Sequence, residues 1–283
     1  MEAIARKRIY LFFTFTMMCS TILGIAYHFS KSPVTLTLMM FTPAFCSVLT
    51  RILTREGFKN MYLKVNIKGN LKWYFSAWFL TPLIAYFGVI VYFIMFKCDF
   101  NPLASELALA EGITSMSDYA KHLLILIPLA VLINPIMGLV QCFGEELGWR
   151  GYLLPKLTKG LSKFSATIIT GLIWGIWHIP IILSGYNYGG EHPLLGSLAM
   201  IVFCVIIGVF SAFLFYKVKS IWVPVIFHAS INGVDLWKPT SIFMSKNSNP
   251  FVGPELTGII GGCGFIFGAI IIVCTLKIKS KRK

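Results

Sequence analysis

Apolar runs of about twenty residues recur along the chain, at 10–29, 33–50, 73–96, 122–143, 164–184, 196–216, 221–237 and 255–276. A run of that length crosses the hydrocarbon core of a bilayer as a helix. Barrel strands would alternate apolar and polar positions instead, and these runs are continuous. The pattern predicts an all-α polytopic membrane bundle of about eight transmembrane helices. No fixed-period repeat or low-complexity linker divides it, so a single integral-membrane domain is expected over 1–283, with its polar motifs in 122–237. Pro82, Pro128, Pro135, Pro180 and Pro224 interrupt the runs. Such kinks are tolerated in membranes where neighbours satisfy the carbonyls that proline leaves bare.

Composition agrees: 57% of residues are hydrophobic and 13% charged, against about 25% charged in a soluble domain. A net charge of +14 raises the question of nucleic acid, and its distribution answers it. Eight spans put both termini on one side. With that side cytoplasmic, the groups at 6–8, 51–72, 150–163, 217–219 and 277–283 hold twenty of the 25 Lys and Arg residues, and Lys31, Lys97, Lys121, Lys238 and Lys246 face outward. This is the positive-inside bias, so topology and anionic lipid account for the charge and no nucleic-acid partner is needed. The first run, after Ala5-Arg-Lys-Arg8, is read as a retained anchor, because no small-residue cleavage site follows it. A bacterial plasma membrane is the expected location.

The seven cysteines are odd in number, lie mostly in apolar runs and show no CxxC pair. They read as small hydrophobes rather than a disulfide framework or metal site. The outer segment 97–121 is acidic, and its Leu103, Leu107 and Leu109 suit a short surface helix. Gly258-xxx-Gly262 and Gly264-xxx-Gly268 in the last run suit close helix packing.

Ionisable groups inside spans are functional suspects. In Gln141-Cys-Phe-Gly-Glu-Glu-Leu-Gly-Trp-Arg150, Glu146 precedes Arg150 by four residues, the favoured order for an ion pair on one helix face. Glu145 sits about 100° round the helix and points elsewhere. Either it is available to act, or both carboxylates solvate Arg150. Trp174 and His178 are four apart, as are His228 and Asn232; each set could equally make interhelical hydrogen bonds. Asp235 reads as a structural or interface residue. Together, a carboxylate, two imidazoles and a carboxamide from three spans suit hydrolysis. A glutamate in apolar surroundings takes a proton from water near neutral pH. His178 could orient that water or share its proton, and His228 with Asn232 could stabilise the oxyanion. No serine or cysteine elbow and no HExxH helix is present. A zinc ion held by Glu145, His178 and His228 is the alternative chemistry; otherwise no cofactor is expected.

Glu145-Glu-Leu-Gly-Trp-Arg150, Trp174-Gly-Ile-Trp-His178 and His228-Ala-Ser-Ile-Asn232 resemble, in order, the EExxxR, aromatic-xxxH and HxxxN motifs of the CPBP (Abi) family of intramembrane glutamic endopeptidases, which includes the CAAX-prenyl endopeptidases. The resemblance implies a helical bundle with a cavity open to the cytoplasmic side. It also implies Glu145 as base with His178 assisting, His228 and Asn232 as oxyanion hole, and Glu146, Arg150 and Trp174 as structural support. The implied partners are a peptide or protein substrate, lipid-modified or membrane-associated, and membrane lipid. Two other classes stay open: a bacteriocin self-immunity factor or a membrane scaffold, each acting by binding. One tension remains. Glu145 ends its run, whereas His178 lies about 14 residues into the next, roughly 21 Å along the helix. The two meet only if the fourth helix continues past Glu145, and it is expected to end near Pro155.

Overall fold

A computed structural model describes residues 3–246 and 248–281, with side chains to Thr275. Arg282 and Lys283, two of the cations counted above, lie outside the described residues. The described residues hold helices and no strand. Six helices are long and apolar enough to cross a membrane: α1 (Ala3–Ser30), α2 (Pro33–Leu53), α3 (Leu71–Met95), α5 (Met116–Leu157), α6 (Lys163–Ile182) and α7 (Pro193–Val218). Between α3 and α5 lies the short α4 (Glu106–Ala110), as the 97–121 segment led us to expect. It is N-capped by Ser105, whose hydroxyl accepts the Ala108 N–H. After α7 come α8 (Trp222–Asp235), α9 (Pro239–Phe243) and α10 (Cys263–Lys281).

The last two predicted spans differ in extent from the helices found. The helix found in 221–237 is α8, 14 residues long, about 21 Å at 1.5 Å per residue and short of the roughly 30 Å core. The run at 255–276 becomes helical only at Cys263. Residues 251–262 form tight turns, with Ile259 N–H donating to Phe251 O and Ile260 N–H to Val252 O. Gly253, Pro254, Gly258, Gly261 and Gly262 oppose helix propagation there. Gly258 therefore serves a turn: a Cβ on it would meet the Gly253 backbone at 2.4 Å. Gly264 does pack as expected, against Ile84 of α3.

The chain gathers into two compact units, one of Met1–Trp73, Val140–Val225 and Gly268–Lys283, the other of Tyr74–Leu139 and Ile226–Phe267. In the first, α6 packs against α7 and against α1, and α1 packs on α2. Pro43 inside α2 cannot donate to Met39 O, and the Thr42 hydroxyl does so instead at 2.8 Å. In the second unit, Leu107, Tyr119, Leu126 and Ile242 form a buried cluster, and Tyr119 OH donates to Ile242 O at 2.6 Å. Between Pro128 and Pro135, α5 widens into a π-turn at Leu129–Ile133. Pro135 has no N–H for Val131 O, and the Trp78 indole N–H takes its place at 2.7 Å. Both carbonyls show how an apolar bundle accommodates proline.

Candidate functional site

The fourth helix does continue past Glu145: α5 runs to Leu157, with a second π-turn at Trp149–Leu153. Wide turns of this kind are frequent at functional sites. The extension carries Glu145, Glu146 and Arg150 into the interior of the first unit, where they are 2%, 0% and 0% exposed. Close approach of α2 makes this possible. A Cβ on Gly144 would meet Met40 O at 2.7 Å, and one on Gly148 would meet Pro43 at 2.4 Å.

The expected ion pair is present, with Arg150 Nη1 donating to Glu146 Oε1 at 2.8 Å. The guanidinium also lies over the Trp174 ring, 4.6 Å from its centroid, an electrostatic attraction strengthened by desolvation. On the other side α7 makes room. Gly208 approaches Gly171 of α6, and a Cβ on Gly208 would stand 3.5 Å from Arg150 Nη2.

Glu145 faces a different neighbour, as its position on the helix requires. The Trp174 indole N–H donates to Glu145 Oε2 at 2.7 Å. One turn on, His178 Nδ1 lies 2.9 Å from the Trp174 carbonyl oxygen. A carbonyl only accepts, so Nδ1 carries the proton, and in a neutral ring of that tautomer the lone pair lies on Nε2. Trp174 thus holds the glutamate with its side chain and the histidine with its backbone. The Trp177 ring packs edge-on against the imidazole at 4.6 Å and is itself fixed, its N–H donating to Thr42 Oγ1 at 3.1 Å. Ser20 of α1 donates to Trp177 O.

Sequence reasoning missed what α7 contributes. Cys204 Sγ lies 3.6 Å from His178 Nδ1 and 3.7 Å from Met200 Sδ, and Gly208, one turn on, faces Arg150. Both residues read as ordinary members of an apolar run, and only the spacing of Cys204, Gly208 and Ser211 along one buried face marked them. His228 and Asn232 belong to the second unit. They sit four residues apart on α8, His228 buried and Asn232 partly so. Asp235 ends the same helix. Among the described residues, no three His, Cys, Asp or Glu side chains form a group that could hold a metal ion.

A family model described as "Type II CAAX prenyl endopeptidase Rce1-like" matches residues 122–234. The chain is 28% identical over 149 residues to the "CAAX prenyl protease 2" of Methanococcus maripaludis, covering 51% of each chain. It is 27% identical over 150 residues to the "Lysostaphin resistance protein A" of Staphylococcus haemolyticus, covering 53% of this chain and 36% of that one. The chain thus spans about half the length of the first relative and about a third of the second. The matched segment begins in α5, ends in α8 and contains all three motifs. The likeness to the CPBP family, which the motifs alone had suggested, is therefore shown over residues 122–234.

Proposed function

We propose that the protein is a membrane endopeptidase that hydrolyses a peptide bond with water activated by Glu145. The observation that carries this reading is the double hold of Trp174, on the Glu145 carboxylate and on His178 Nδ1. It fixes a proton acceptor and an imidazole on one residue. Glu145 takes a proton from water, and the hydroxide so formed adds to the scissile carbonyl carbon. The His178 Nε2 lone pair orients the water. His228 and Asn232, which present two donors from one face of α8, stabilise the tetrahedral oxyanion. The proton then passes to the amide nitrogen, the C–N bond breaks, and a carboxylic acid and an amine result. Glu146 and Arg150 hold the arrangement without exchanging protons.

The substrate in this reading is a protein or peptide presented at the membrane. The name of the archaeal relative brings a prenylated CAAX protein as its first candidate. We place the protein in a bacterial plasma membrane with both termini cytoplasmic, which cysteine labelling from either side tests. The central experiment is comparative proteomics of membranes carrying the wild-type protein or Glu145→Gln. Fragments that appear only with the wild type support the proposal and name substrates. Undiminished cleavage by Glu145→Gln sinks it. Cleavage abolished by a chelator, with zinc bound stoichiometrically to the purified protein, would replace the metal-free route with a zinc one. Protection from lysostaphin that survives Glu145→Gln would favour action by binding.

A further inference from the structure

Four exposed lysines converge at one end of the first unit. Lys72 lies at the start of α3, Lys163 opens α6, Lys217 lies in the last turn of α7, and Lys219 caps that helix. The Lys72 and Lys217 ammonium groups both lie over the Trp73 ring, 5.4 and 5.2 Å from its centroid. Lys163 and Lys219 share the Tyr216 ring in the same way, at 5.3 and 5.5 Å. Phe213 joins the arrangement, edge-on to Trp73 at 5.6 Å and 5.1 Å from Lys217 Nζ. Among the described residues, no ion pair involves Lys163, Lys217 or Lys219. Partial burial, and after it the charge of Lys163, pushes the Lys219 ammonium below the ordinary lysine range.

The backbone places Lys219 in a turn. Lys219 adopts φ 56°, ψ 42°, the left-handed conformation that glycine usually supplies at a helix C-terminus. Asn66 holds the turn, its side-chain amide donating to the Val218 and Lys219 carbonyls at 3.2 Å each. A glycine would take this conformation without steric cost. A lysine there adds a charge beside Tyr216 that a glycine would lack. Three apolar helices end here, and one tryptophan and one tyrosine stand among the cations, the arrangement characteristic of headgroup depth.

We propose that this end of the first unit binds the headgroup of an anionic phospholipid, with Lys72, Lys163, Lys217 and Lys219 facing the phosphate and Trp73 and Tyr216 seated at the interface. Clustered lysines just beyond apolar spans attract anionic lipid, and the gathered like charges supply the complement that a phosphodiester needs.

The test uses the full chain purified in detergent and native mass spectrometry across titrations of phosphatidylglycerol and phosphatidylcholine. Wild-type protein should retain phosphatidylglycerol at about tenfold lower concentration than phosphatidylcholine. The Lys217→Gln/Lys219→Gly double variant should lose that preference while its thermal midpoint stays within a few degrees of wild type, since glycine fits the left-handed turn. The charge-matched Lys97→Gln/Lys238→Gln control should keep the preference. Retention unchanged in the Lys217/Lys219 variant overturns the proposal, as does loss of preference in the control. Displacement of the lipid by inorganic phosphate at equal concentration also overturns it and makes the site one for a free anion.

Discussion

At Glu56, just beyond α2, one carboxylate gathers three cations; at Glu145 and Glu146, two carboxylates adjoin one. Lys156 bonds directly to Glu56, and Arg8 and Arg51 approach it at 3.5 and 3.6 Å. Tyr152 OH donates to it as well, at 3.3 Å. The same Arg51 Nη1 donates to the carbonyls of Gly57 and Lys59. The Glu56 region is thus cation-rich and lies at a helix end, where its charges can stay fixed. The interior site has the opposite balance. Arg150 compensates Glu146 directly, and Glu145 receives the neutral N–H of Trp174. A carboxylate locked by three cations is a poor base, because each of them opposes its protonation. One held by a neutral donor can be oriented and still accept a proton. On the proposed reading, Glu56 is the electrostatic anchor and Glu145 the base.

Breaking the comparison at its centre should have the largest effect. Glu145→Gln keeps shape and an acceptor oxygen but removes the base, and kcat should fall by about 10²–10⁴-fold in a membrane cleavage assay, with expression intact. Removing one member of the buried pair comes next. Arg150→Ala leaves Glu146 buried without its cation and should cost about 3–5 kcal/mol of stability, read as loss of folded protein on detergent unfolding; wild-type stability would show that the pair is dispensable. Trp174→Phe sharpens the contrast. It keeps an aromatic face for Arg150 and deletes the bond to Glu145, so kcat should drop by roughly 10–100-fold at nearly unchanged KM, the equivalent of one hydrogen bond to a charged group. An equal fall through KM alone would mean that the indole only shapes the pocket.

The smallest effect belongs to the other region. Burial raises the Glu56 carboxyl, but the hydrogen bond and charge of Lys156, then Arg51 and Arg8, outweigh it and hold it below the ordinary range. Stability from this shift is present above the unfolded value, near 4.3, and is lost as pH falls through the lower folded value. Melting midpoints measured from pH 6 down to pH 3 should therefore decline more steeply for wild type than for Glu56→Gln. Parallel curves would show that the three cations do not act through this carboxyl.

The long helices were legible because length and apolar continuity are local properties. So was the Glu146–Arg150 pair, which i to i+4 spacing dictates. The bond from Trp174 to Glu145 was not, since the two residues lie on different helices and nothing in either motif encodes their approach. Cys204 and Gly208 were hidden for a related reason. In an apolar helix with neighbours on several sides, composition does not report which face meets a charged group. The Gly258 spacing misled because a GxxxG interval has meaning only on a helix, and the glycines and proline around it end the helix. The extension of α5 could be expected only because Glu145 and His178 had to meet.

The π-turn at Trp149–Leu153 separates two tasks along one helix. It takes up one more residue than an α-turn, so everything after it is rotated by about 100° relative to an uninterrupted helix. Upstream, Glu145 and Glu146 face Trp174 and Arg150; Tyr152 within the turn and Lys156 beyond it face Glu56. Deleting one of the three codons 151–153 would leave all three motifs spelled as before, yet swing the helix tail off its anchor. An alignment scored on motif letters alone would pass such a variant as intact.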